Sequence, residues 1–161
     1  MQSIKMAIME LSPDSVAVYL RHAFAGMERV LGRLDDESVN VRPDGWGTNS
    51  VAGLVVHCCE LAPSWFVMPG LGRDSERDRD AEFATSATIA ELRVRIADAV
   101  DRSCALAAEF EIGPTAGDHP FREFMPGTDR TDAALVLHVL EELFQHLGHM
   151  EVTADALTGS G

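Results

Sequence analysis

Apolar residues recur along this chain with a helical period in four long segments, and no segment alternates with the period of two that marks a strand. In the first, Val16, Leu20, Phe24, Met27, Leu31 and Leu34 share one face behind Ser12-Pro13-Asp14, a capping serine followed by proline at the first helical position. The helix is expected over about 13–34. A second, over about 49–68, carries Val51, Leu54, Val55, Cys58, Ala62 and Trp65; Thr48, Asn49 and Ser50 each have a capping side chain, and Pro63 should bend or shorten it. The third, over about 88–110, follows the capping box Thr88-x-x-Glu91 through Leu92, Ile96, Ala99, Val100 and Ala107, and Gly113-Pro114 stops it. The last, over about 130–157, starts at Asp129 or Thr131 and has Gly159 just past its end. These segments predict an all-α fold, a four-helix bundle with long crossover connections, forming a single domain over residues 1–161.

The connections are long. Residues 69–86 are glycine-containing and highly charged, and read as a solvated surface crossover; the other reading of their arginines is a hold on an anionic ligand. Residues 115–130 contain His119-Pro120-Phe121 and Phe124-Met125-Pro126-Gly127, apolar enough to pack over one end of the bundle as a lid. No apolar run is expected to reach the roughly 18–20 residues of a membrane span, since Val51 to Leu61 already includes His57 and Glu60. The start is too short in apolar residues for a secretory leader, so no signal peptide is expected.

Charge narrows the partners. A formal net charge of -13, with the basic residues interleaved among Asp and Glu, argues against nucleic acid and against an anionic membrane surface. Three cysteines, two of them adjacent at Cys58 and Cys59, form no paired framework and no CxxC, which points to a reducing, cytoplasmic setting. Oligomeric state is open, a homodimer included.

The chemistry concentrates near the C-terminus, where His138-Val-Leu-Glu-Glu142-Leu-Phe-Gln-His146-Leu-Gly-His149 sets imidazoles and carboxylates into an apolar helix. At about 100° per residue, His138, Glu142, His146 and His149 lie within roughly 80° of one another. Glu142 and His146 stack at i, i+4, where both can converge on one divalent ion. A third ligand must come from another helix, and His57, at the margin of the second helix's apolar stripe, is the candidate. Three protein ligands leave a coordination position open, as catalytic sites do. The plainer alternatives are a core-edge histidine at 57 and a solvated Glu142–His146 pair. His138 and His149 border the stripe as supports for the ligands, alternative ligands or general acid/base groups. His22 faces away from the core, His119 lies in a loop, Cys58 and Cys104 read as small core residues, and Cys59 projects away from His57, so a cysteine-ligated site is not expected.

Four runs together resemble a known family: Arg42-Pro-Asp-Gly-Trp46, Asn49-Ser-Val-Ala-Gly-Leu-Val-Val-His57, Arg77-Asp-Arg-Asp-Ala-Glu-Phe83 and Glu142-Leu-Phe-Gln-His146-Leu-Gly-His149. They are similar to the DinB/YfiT-like superfamily, in particular its actinobacterial branch of DUF664 proteins, mycothiol-dependent maleylpyruvate isomerases and mycothiol S-transferases. The resemblance spans about residues 13–157. It implies a four-helix bundle with a divalent metal, zinc or nickel, at one end, and in the isomerase-like branch the matching ligands are His57, Glu142 and His146. It implies further that a low-molecular-weight thiol such as mycothiol is the co-substrate, its pKa lowered at the open position. The chain ends after the bundle, without the isomerase's additional C-terminal domain, so the expectation is a thiol S-transferase acting on an electrophile, with His149 as proton-handling group. The alternatives are a metal-dependent hydrolase or isomerase and a non-catalytic metal- or ligand-binding bundle.

Overall fold

A computed structural model describes residues 11–44, 48–73, 76–109, 125 and 131–159. Among these the regular elements are all helical: α1 (Pro13–Leu31), α2 (Val51–Trp65), the short α3 (Arg79–Phe83), α4 (Ile89–Glu109) and α5 (Asp132–Thr158). A 3-10 turn over Ser38–Asn40 precedes α2, and a π-type turn over Phe66–Gly70 follows it.

Local chemistry fixes the helix ends. The Ser12 hydroxyl accepts from the Ser15 amide with Pro13 in the first turn, Ser50 accepts from Gly53, and Thr131 accepts from Ala134. Thr88 and Glu91 close the capping box, the Glu91 carboxylate accepting from the Thr88 amide at 2.8 Å. α1 stops three residues short of the expected end, because after Gly32 the amides of Arg33 and Leu34 bond three residues back, to Val30 and Leu31. Such i→i−3 bonds tighten and end a last turn. α2 passes through Pro63 and then widens into the π-type turn over Phe66–Gly70. At the far end, Gly159 closes α5 in the left-handed conformation (φ 66°) that glycine adopts without a Cβ clash.

The principal helix contacts pair α1 with α4 and α5, and α2 with the same two. α1 and α2 therefore face each other across the diagonal, and so do α4 and α5. The core runs through Leu20, Phe24, Met27, Leu54, Leu92, Leu135, Leu143 and Met150, all buried. α2 is enclosed by α3 as well, so thirteen of its residues are buried, from Val51 to Cys59 and from Leu61 to Ser64. This explains a departure from the sequence reading: Val51–Met68 is, by length and a mean hydropathy of 1.5, apolar enough for a membrane span, yet 78% of it is buried inside the bundle.

The charged connection also departs from expectation. Instead of a solvated crossover throughout, it contains α3, capped by Asp78, whose carboxylate accepts from the Ala81 amide at 3.0 Å. α3 lies against α2 because Gly53 has no side chain: a Cβ there would meet the Phe83 carbonyl oxygen at 3.1 Å and the Phe83 Cα at 3.3 Å. Arg42 holds the same carbonyl, its Nη2 donating at 2.5 Å. The loop read as a lid, His119 included, falls outside the described residues apart from Met125, which is buried.

Candidate metal centre

α2 and α5 are neighbours in the bundle, and their facing sides bring His57 against Glu142 and His146. One ligating atom from each lies within 4.8 Å of the others. Glu142 and His146 meet across one helical turn, Oε2 to Nε2 at 3.5 Å. The His57 and His146 rings stand edge to face with centroids 4.6 Å apart. Of the sequence-derived candidates these three come together. His149 sits one turn beyond His146 on α5 and does not line the adjoining cavity, whereas His138 does.

His57 lies deeper than a margin position implies, at 2% exposure, because α3 covers it. Its ring stacks on Phe83 at 4.3 Å. Its Nδ1 is 2.9 Å from Glu82 Oε2, and Glu82 is itself only 5% exposed. A carboxylate only accepts, so this bond places the imidazole hydrogen on Nδ1 and leaves the Nε2 lone pair for the side facing α5. Arg77 grips the same carboxylate, Nε to Oε1 at 2.7 Å and Nη2 to Oε2 at 2.9 Å. Its Nη2 is also 3.0 Å from His57 Nδ1, but a guanidinium has no acceptor, so with hydrogen on Nδ1 that approach is a contact and not a bond.

Sequence reasoning missed Glu82. It belongs to a run of charges that looks solvated, and α3 is barely more than one turn, too short to show a buried face by periodicity. The available signals were Asp78 as a cap and Phe83 as the large apolar residue closing the run.

Electrostatics match the geometry. Burial holds the His57 pKa down at about 3, and the neighbouring His146, Arg77 and Arg79 push the same way against Glu142. The Glu82 charge is already taken by Arg77, which leaves burial dominant. Glu142 is held below the ordinary carboxylate value, first by its bond to His146, so it is an anion at neutral pH. Burial and the adjacent His146 lower the pKa of His149. A neutral imidazole with a free nitrogen, beside an ionised carboxylate and a second imidazole, is a donor set suited to a divalent ion. Glu82 behind His57 is the carboxylate partner such ligands ordinarily have. The residues present therefore fit a metal.

Two of the three candidate ligands, His57 and Glu142, open onto a cavity of about 370 Å³, and His146 stands behind them outside its lining. Among the described residues, Leu61, Ser64, Trp65, Met68, Arg77, Arg79 and His138 complete its lining. The protein's own cysteines supply no nucleophile there: burial raises Cys58 well above its ordinary value and Cys59 to about 12.

No curated protein and no solved structure matches the chain. The family model described as Mycothiol-S-transferase matches residues 15–159, a stretch that contains every helix of the bundle but the first two residues of α1 and all of His57, Glu82, Glu142 and His146, and the chain belongs to that family, within the DinB/YfiT-like superfamily.

Proposed function

We propose that the protein is a divalent-metal-dependent thiol S-transferase of a reducing, cytoplasmic setting, with His57, Glu142 and His146 as metal ligands and mycothiol or a similar thiol as co-substrate. The observation that carries this reading is the convergence of those three ligating atoms within 4.8 Å, with His57 and Glu142 lining a cavity, in a member of this family. Zinc suits a set of two imidazoles and one carboxylate, and nickel is the alternative. A divalent ion in this set would act as Lewis acid, lowering the pKa of a thiol that occupies its open position.

The remaining roles belong to the chain. Glu82 fixes the His57 tautomer, and Arg77 holds the Glu82 carboxylate in its buried place. Leu61, Trp65 and Met68 exclude water from one side of the cavity, which preserves sulfur nucleophilicity. His149, lowered in pKa and one turn from His146, is the expected proton acceptor, reached from the thiol by way of solvent because it lies outside the cavity lining. With an aryl halide the balance is simple: a carbon–sulfur bond forms, the carbon–chlorine bond breaks, chloride leaves with the bonding pair, and the thiol proton passes to the base. No redox change occurs.

The test is conjugation of 1-chloro-2,4-dinitrobenzene by zinc-loaded protein with mycothiol. Wild type should exceed the uncatalysed rate, and His146→Ala should lose that excess. Equal rates in the two proteins overturn the assignment. Turnover without added thiol would instead favour the hydrolytic reading.

A further inference from the structure

The cavity beside the candidate ligands combines cationic and apolar side chains. In a chain of net charge -13 it is lined by two guanidinium groups together with the apolar side chains of Leu61, Trp65 and Met68. Arg77 is spent on Glu82. Arg79 is not: among the described residues no carboxylate lies within ion-pair distance of it, and its guanidinium carbon sits over the Phe83 ring, 5.5 Å from the centroid. That ring presents an apolar face to a cation, which positions Arg79 without neutralising it.

Phe83 is in turn stacked on His57, so Arg79 stands one aromatic layer away from the ligand set. A charge met by Arg79 therefore belongs to a different part of the bound reactants from the sulfur. From these relationships we infer that Arg79 is a specificity-determining residue, and that the electrophile is an anionic molecule with a carboxylate at one end and an apolar, aryl-sized body packed on Trp65 and Leu61. The inference rests on the S-transferase reading for its chemistry, though not for the binding it predicts. An aryl body suits the indole edge and leucine side chain, and a guanidinium fork suits a carboxylate.

Two arms test it separately from that reading. In the first, zinc-loaded protein and mycothiol are given 4-(bromomethyl)benzoate or 4-(bromomethyl)benzamide, which differ in charge and little in size. Wild type should favour the benzoate in kcat/KM by about tenfold, the scale of one charge-assisted contact at a partly exposed site. The preference should vanish in Arg79→Gln and return in part in Arg79→Lys. The same thiol is used throughout, so an anion recognised on the thiol would leave the ratio unchanged in Arg79→Gln, and that result overturns the inference. In the second arm, chelator-treated protein is titrated calorimetrically with 4-methylbenzoate and 4-methylbenzamide, so no metal can attract the carboxylate. Tighter binding of the benzoate, lost in Arg79→Gln, upholds the inference even if turnover is absent and the S-transferase reading has failed. Equal binding of the two compounds to wild type overturns it whatever the outcome of the first arm.

Discussion

Glu82 Oε2 lies 2.9 Å from His57 Nδ1, and both side chains are almost completely buried. This contact joins the charged connection to α2 and decides which histidine nitrogen faces α5. A carboxylate behind a ligating imidazole orients the ring and raises its basicity, and losing it ordinarily costs 10- to 100-fold (about one to two decades) in metal affinity. Glu82→Ala should therefore weaken zinc binding by that order while His57, Glu142 and His146 all remain. Competition against a chromophoric chelator measures it. Unchanged affinity in Glu82→Ala, with far-UV circular dichroism preserved, would show that Glu82 only neutralises Arg77.

Acid should loosen the metal-free protein. His57 has a folded-state pKa held down at about 3, whereas the unfolded chain takes up its proton near the ordinary value of 6.5. Between those values the unfolded state binds more protons, so stability is full above about 6.5 and falls as pH drops toward 3. His149 is lowered too and acts in the same direction. Glu142, lowered by His146, adds stability above its unfolded value of 4.5 that is lost as pH falls through its folded one. Thermal midpoints of chelator-treated protein should drop steadily from pH 7 to pH 5, and His57→Gln should flatten that slope. A flat wild-type profile would count against a neutral buried His57.

The four long helices are legible because each runs for several turns and repeats its apolar face often enough to register. Their ends follow from Ser12, Ser50, Thr88 and Gly159, whose cap chemistry is local. Glu142 and His146 are legible for the same reason, since their juxtaposition depends on one helical turn. His57 is legible as a candidate, but its depth depends on α3, which begins twenty-six residues after the Gly53 it packs against. Glu82 and Arg79 depend on tertiary placement alone. Within a run of alternating charges nothing local separates the carboxylate that goes inside from those that stay in water.

His138 carries a cost that a substitution should reveal. It is 7% exposed, its Nδ1 has no hydrogen-bond partner among the described residues, and the Glu141 carboxylate oxygen is 3.6 Å away. Its ring meets Trp65 edge-on at 4.6 Å. A buried polar atom left unpaired costs roughly 1–3 kcal/mol, and replacing it by an apolar group of similar shape removes that penalty. His138→Phe keeps an aromatic ring against Trp65 and should leave the thermal midpoint unchanged or raise it by a few degrees. A large fall would mean that the imidazole is hydrogen-bonded in solution.

Gly53 and Gly148 should answer alanine in opposite ways. Alanine inside a helix gains about 1 kcal/mol over glycine. At Gly148 on α5 a Cβ meets nothing within 4 Å, so Gly148→Ala should show that gain as a higher thermal midpoint, with zinc affinity unaltered. At Gly53 the same methyl group would press on the Phe83 carbonyl oxygen at 3.1 Å and Cα at 3.3 Å. That backbone yields poorly, because Arg42 holds the carbonyl from the other side and Phe83 is stacked on His57. Overpacking costs roughly 1–3 kcal/mol, which cancels or exceeds the propensity gain. The net change in stability should therefore be small or unfavourable, and displacement of α3 should draw Glu82 away from His57. Gly53→Ala is expected to weaken zinc binding several-fold, and Gly53→Val more. If Gly53→Ala instead matches Gly148→Ala in both midpoint and affinity, α3 does not pack against α2 closely enough to set the His57 tautomer.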